Sequence, residues 1–215
     1  IENLDNNCSA SIQQFIEVYN LPTPNFNVTE VCLGEKTSFT DLSSANVVSW
    51  NWIFGDGLGS STFQNPVYTY NFDGNYMTEL EIISDKGCYN TLTTEITINE
   101  IPEVEITISE VCEGERNLFN SVSEITNGYI SNWEWDFGDF SFLGQEEDVA
   151  HTYSENGTYN VDLTIASDKG CENSVSSVAI VNDRPEVDFT TENVCINEIS
   201  YFNDFSAVED AEIVQ

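Results

Sequence analysis

Apolar side chains in this chain recur on alternate positions. Trp50, Trp52 and Phe54 fall on every second residue, and so do Trp133, Trp135 and Phe137. Tyr76, Thr78, Leu80 and Ile82 alternate likewise, matched by Tyr159, Val161, Leu163 and Ile165. A period of two puts such residues on one face of a β-strand and their polar neighbours on the other. Helical spacing is absent, and turn-forming clusters (Asp56-Gly57, Asn65-Pro66, Asp85-Lys86-Gly87) separate the runs. The pattern predicts an all-β chain: antiparallel, immunoglobulin-like sandwiches of roughly seven short strands each.

The runs also repeat at long range. Trp50-Asn51-Trp52-Ile53-Phe54-Gly55-Asp56 returns as Trp133-Glu134-Trp135-Asp136-Phe137-Gly138-Asp139, and Asp85-Lys86-Gly87-Cys88 returns as Asp168-Lys169-Gly170-Cys171. Self-similarity at this period marks a tandem array. Cysteines and prolines keep the same phase. Cys8, Cys88 and Cys171 are each followed by Cys32, Cys112 and Cys195, with Pro22, Pro102 and Pro185 between them. Proline suits a link between sheets better than a strand interior. The expected organisation is therefore residues 1–21 as the closing strand of a preceding repeat, 22–101 and 102–184 as complete repeats, and 185–215 as the opening of another. Val194-Cys195-Ile196-Asn197-Glu198 echoes Val31-Cys32-Leu33-Gly34-Glu35. A window cut from a longer array is the natural expectation.

Charge narrows the partners. Five basic residues face 38 acidic ones, a net charge of −33. Such a surface repels nucleic acid and anionic membranes. No 18-residue apolar stretch is present, so no membrane insertion is expected. With 40% hydrophobic and 12% aromatic residues, the chain has material for real cores.

The candidate chemistry is sparse. The Trp-x-Trp-x-Phe run could stack on sugars, but its shared face points to a core between sheets. The following Gly-Asp (Asp56, Asp139) reads as a turn, with Asp capping free N–H groups. Asp56, Asp136 and Asp139 are the weak candidates for Ca²⁺, since turn carboxylates suit hard cations. They lack the Asp-x-Asp-x-Asp-Gly spacing, and no cofactor is otherwise expected. His151, the only histidine, aligns with Tyr68, an exchange that a catalytic or metal centre would not tolerate. No nucleophile elbow, HExxH or phosphate loop occurs, so no enzyme activity is expected.

The ordered motifs resemble the PKD (polycystic kidney disease) domain. They are Trp52-Ile53-Phe54-Gly55-Asp56-Gly57, Asn65-Pro66-Val67-Tyr68-Thr69-Tyr70 and Gly74-Asn75-Tyr76, then Trp135-Asp136-Phe137-Gly138-Asp139, His151-Thr152-Tyr153 and Gly157-Thr158-Tyr159. The second repeat departs from the pattern at Phe140, which stands where the first has Gly57. The added cysteines resemble those of PKD arrays in large surface proteins of Bacteroidetes-type bacteria. That resemblance implies a non-enzymatic segment of a secreted cell-surface adhesin, a spacer with adhesive contacts. It also implies links to gliding motility and type IX secretion. Its partners would be other repeats of the same chain, secretion or motility machinery, or surface ligands. The alternative is a carbohydrate- or collagen-targeting accessory module of a secreted hydrolase.

One cysteine pair per repeat suggests disulfides and an extracellular location. By resemblance, the simplest pairing joins Cys32 to Cys88 and Cys112 to Cys171. Immunoglobulin topology raises an objection, because those positions fall at opposite ends of a sandwich, whereas a disulfide needs Cα atoms within about 7 Å. Either the first strand is rearranged or cysteines bridge neighbouring repeats, for instance Cys32 to Cys171.

Overall fold

The computed structural model describes residues 2–3, 8–9, 11–44, 46–141 and 144–208, with 2–3 and 8–9 as backbone only. Every helix or strand among them is a strand. The chain divides into two compact units, Ile1–Ile98 and Asn99–Gln215.

The first unit opens with a small antiparallel ribbon, β1 (Glu2–Asn3) and β2 (Cys8–Ser9). Residues 11–25 carry no strand, and Ile12, Phe15, Ile16 and Val18 are exposed. The closing strand expected in 1–21 is therefore not formed over 11–21. The sandwich follows: β3 (Phe26–Val28), β4 (Val31–Cys32), β5 (Thr37–Asp41), β6 (Val47–Ile53), β7 (Ser60–Ser61), β8 (Val67–Tyr68), β9 (Gly74–Ser84) and β10 (Tyr89–Asn99). One sheet has the order β3-β5-β8 and the other β4-β10-β9-β6-β7.

The second unit repeats this plan with β11 (Ile106–Ile108), β12 (Val111–Cys112), β13 (Asn117–Ser121), β14 (Ile130–Asp136), β15 (Asp148–His151), β16 (Gly157–Ser167) and β17 (Glu172–Asn182). Its sheets run β11-β13-β15 and β12-β17-β16-β14. A short ribbon of β18 (Phe189–Thr191) and β19 (Phe202–Asp204) follows, with both strands exposed.

Period-two patterning sets the register. Trp52 lies opposite Leu80 and Trp50 opposite Ile82, while Trp135 lies opposite Leu163 and Trp133 opposite Ile165. A one-residue slip would turn every one of these side chains outward. The first core gathers Phe39, Trp52, Phe54, Tyr70, Leu80, Ile82, Ile96 and Ile98. The second gathers Phe119, Trp135, Phe137, Tyr153, Val161, Leu163, Ile165, Ala179 and Val181. Burying rings of this size stabilises by a few kcal/mol each (~2–3). Trp50 and Trp133 are half-buried at the core margins.

Candidate functional site

The doubled Trp-x-Phe-Gly-Asp leads β6 and β14 into a turn, and the Gly is required there. Gly55 has φ +86°, and a Cβ on it would lie 2.5 Å from the Met77 carbonyl oxygen. Gly138 has φ +72°, with the Asn160 carbonyl oxygen 2.2 Å from such a Cβ. Glycine alone satisfies both a left-handed φ and this approach to the neighbouring strand.

The Asp then organises the loop. Asp56 Oδ1 accepts from the backbone N–H groups of Leu58 (3.0 Å) and Gly59 (2.9 Å), while Oδ2 accepts from the Tyr68 hydroxyl. Asp139 Oδ1 accepts from Ser141 N–H (3.0 Å), and its Oδ2 lies 2.6 Å from His151 Nε2. Tyr68 stacks on Phe54 with centroids 4.2 Å apart, and His151 stacks on Phe137 at 4.3 Å. The exchange of Tyr for His thus keeps one job: a flat ring on the core Phe, with a polar edge at the turn carboxylate. Behind them, the Tyr70 and Tyr153 hydroxyls donate to the carbonyls of Phe54 (2.9 Å) and Phe137 (3.0 Å).

These contacts set the titration. Partial burial pushes the Asp56 carboxyl up, but donation from Tyr68 and from Gly59 and Leu58 N–H outweighs it, leaving the group below its usual range. Asp139 behaves alike: burial raises it, and hydrogen bonds from Ser141 and His151 hold it lower overall. The bond to Asp56 pushes the Tyr68 hydroxyl up to about 12, and burial does the same for Tyr70.

Asp136 accepts from Gly138 N–H at 2.9 Å. Thus Asp56 and Asp139 engage both carboxylate oxygens with turn amides and rings, and Asp136 engages Oδ1 with a turn amide. Among the described residues no group of three or more His, Cys, Asp or Glu is placed to hold a metal ion. Sequence reasoning missed two partners. One is Asp41, whose Oδ2 accepts from Trp50 Nε1 at 2.7 Å. The other is the carboxylate–ring pair itself, which the equal spacing of Asp56 to Tyr68 and Asp139 to His151 could have revealed.

The cysteines require a correction. Cys88 and Cys112 are free thiols, whereas Cys32 and Cys171 are disulfide-bonded. The pairs Cys32–Cys88 and Cys112–Cys171 are therefore not formed. The reason is distance. Cys112 pairs in parallel with Asn182, the last residue of β17, while Cys171 immediately precedes the first. Eleven residues of extended chain separate those points, roughly 36 Å, far beyond disulfide reach. The added first strand is indeed placed beside the last, but at the wrong end.

One hollow of about 520 Å³ is lined by Glu113, Asp183, Arg184, Pro185 and Val208 among others. A second, of about 450 Å³, is lined by Glu124, Tyr129, Trp133 and Glu147 among others.

The PKD domain profile matches residues 20–98 and again 99–181, about three quarters of the chain. This chain belongs to the PKD domain family. Its PKD repeats are 28% identical over 184 residues to collagenase ColA of Clostridium perfringens, covering 80% of this chain and 15% of that protein. Against collagenase ColA of Bacillus cereus the identity is 33% over 84 residues, covering 39% of this chain and 8% of the relative. This chain thus spans only a small part of each. Among solved structures, the PKD1 domain of the Vibrio cholerae metalloprotease PrtV is 29% identical, with TM-score 0.35, covering 37% of this chain and 99% of that one.

Proposed function

We propose that this chain is a non-enzymatic spacer and presenting segment of a secreted, extracellular protein. The observation that carries this reading is the doubled, fully packed sandwich. Its repeated motif residues Trp52, Phe54 and Tyr70, and Trp135, Phe137 and Tyr153, are buried in core and turn rather than turned to solvent. An acidic exterior with a net charge of −33 keeps such a segment hydrated and apart from nucleic acid. Disulfide-bonded Cys32 and Cys171 and the similarity to collagenases both support an extracellular setting. The parent would be a cell-surface adhesin, with adhesive chemistry outside these repeats. Partners would be further repeats, surface ligands, or the machinery that exports or moves it.

The test is a swap. Replacing both repeats in the parent with unrelated sandwiches of equal length should preserve adhesion, and loss of adhesion with intact display would refute the spacer role. The collagenase similarity favours a second reading, a collagen-targeting accessory module of a secreted hydrolase. Co-sedimentation with insoluble collagen at physiological salt separates the two. Saturable retention that persists as salt rises supports the hydrolase reading.

A further inference from the structure

Two corresponding places in the repeats are filled differently. In the first, Asp41 Oδ2 accepts from Trp50 Nε1 at 2.7 Å and from Gln64 Nε2 at 3.0 Å, so one carboxylate ties an indole to an amide. The counterparts in the second repeat are Ser121, Trp133 and Glu147. Backbone contacts hold the correspondence: Asp41 N–H donates to Asn65 Oδ1 (2.8 Å), and Ser121 N–H to Asp148 Oδ1 (3.2 Å). Two exchanges undo the cluster. Serine is too short to bridge, and the Ser121 hydroxyl lies instead 2.6 Å from that of Ser123. Glutamate in place of glutamine removes the amide donor and adds a charge. The second repeat therefore has the hollow of about 450 Å³, with Trp133 and Glu147 in its wall. Trp133 Nε1 is left buried with no hydrogen-bond partner among the described residues.

A lengthened loop builds the rest of the wall. Trp50 follows Asp41 by nine positions, whereas Trp133 follows Ser121 by twelve. The longer segment contributes Glu124, Ile125, Tyr129 and Ile130 to the hollow. It is pinned at several points. Glu124 and Glu103 exchange backbone hydrogen bonds at 2.8 and 3.0 Å, and Asp168 N–H donates to the Tyr129 carbonyl at 2.9 Å. Between them, the N–H groups of Thr126 and Asn127 each donate to the Glu100 carboxylate at 3.1 Å. These anchors order the wall in advance of any guest, which lowers the cost of binding one. Among the described residues no hydrogen bond or ion pair engages the Glu124 or Glu147 carboxylate. The Tyr129 ring beside them is exposed.

We propose that this hollow binds an arginine side chain of a partner protein. A planar guanidinium forks onto carboxylates, stacks on an aromatic face and sheds water more readily than an ammonium. Its methylene stem suits Ile125 and Ile130. The net charge of −33 draws a basic partner toward the site at long range. In the first repeat Asp41 and Gln64 fill the corresponding place with their own hydrogen bonds, so the site belongs to the second repeat alone. It adds a contact to the spacer reading, which is tested separately by the sandwich swap.

Nuclear magnetic resonance of the nitrogen-labelled chain tests the site, because each of the four tryptophans gives its own indole N–H signal. The probe is the peptide acetyl-Gly-Arg-Gly-amide, titrated at physiological salt. The Trp133 signal should shift saturably while that of Trp50 stays still. Glu147→Gln, which restores the residue type of Gln64, should weaken binding about tenfold. Glu95→Gln, at an exposed acid of the first repeat, should leave it unchanged. Joint, unsaturated movement of the Trp50 and Trp133 signals would reduce the effect to general charge attraction and overturn the proposal. Undiminished binding by the Glu147→Gln chain would do the same. Equal binding of the lysine analogue, or a saturable shift with cellobiose and none with the arginine peptide, would overturn the guanidinium assignment.

Discussion

Replacing Gly55 with Ala tests whether the Gly-Asp turn is clamped by the strand beside it. Two costs combine. Left-handed φ costs a non-glycine residue about 1–2 kcal/mol. The new methyl would also sit 2.5 Å from the Met77 carbonyl oxygen, on backbone paired within β9, so relief requires moving the strand. Forcing extra volume into a packed site costs about 1–3 kcal/mol, giving about 2–5 kcal/mol in total. A repeat of this size has an unfolding entropy near 0.17 kcal/mol/K, so each kcal/mol lowers Tm by about 6 °C. The expected loss is about 12–30 °C in the transition of the first repeat.

Gly57 is the control. Its φ is +76°, yet nothing lies within 4 Å of its would-be Cβ. Gly57→Ala should therefore carry only the conformational cost, about 1–2 kcal/mol, or about 6–12 °C. Differential scanning calorimetry reads both, with the untouched second repeat as internal reference. Equal depressions for the two variants would refute the close approach to Met77 as the reason Gly55 is glycine.

Phe140 occupies the same left-handed place in the second repeat, with φ +63° and a fully exposed ring. Phe140→Gly should raise that repeat's Tm by about 3 °C, the relief of φ slightly exceeding the added freedom of the unfolded chain. Trp133 Nε1 is buried without a hydrogen-bond partner, whereas Trp50 has Asp41. Ser121 stands where the first repeat has Asp41, so Ser121→Asp should stabilise by about 1 kcal/mol in urea titrations at pH 7. His151→Tyr should change stability by less than about 1 kcal/mol, while His151→Ala should cost about 1–3 kcal/mol through lost stacking and an unpaired Asp139. Because Asp56 and Asp139 are held below their unfolded values, their contribution is complete above about pH 4 and is lost as pH falls through the folded values. The gap in urea midpoint between the parent chain and an Asp56→Asn, Asp139→Asn variant should therefore close below pH 4. A gap constant from pH 6 to 2 would show that these carboxylates are not ionised partners.

How far the fold was legible follows from which interactions are periodic. The alternation through Trp52 and Phe54, or Leu163 and Ile165, encodes which face is buried, and a register shift would invert it. That information is local, so strands, cores and the repeat could be read directly. The carboxylate–ring pair was legible only in part. Spacing says that Asp56 and Tyr68 move together, but only the fold says that Tyr68 lies flat on Phe54 with its hydroxyl at the carboxylate. The cysteines are the opposite case. Even spacing gives two per repeat, and parity invites pairing them within it. Yet the short strand carrying Cys112 runs parallel to β17 and meets its last residue rather than its first. Strand direction is a tertiary property with no signature in spacing. The within-repeat pairing of Cys112 with Cys171 that the resemblance implies therefore fails here, because the added strand joins the sheet in parallel and sets its cysteine at the far end of β17.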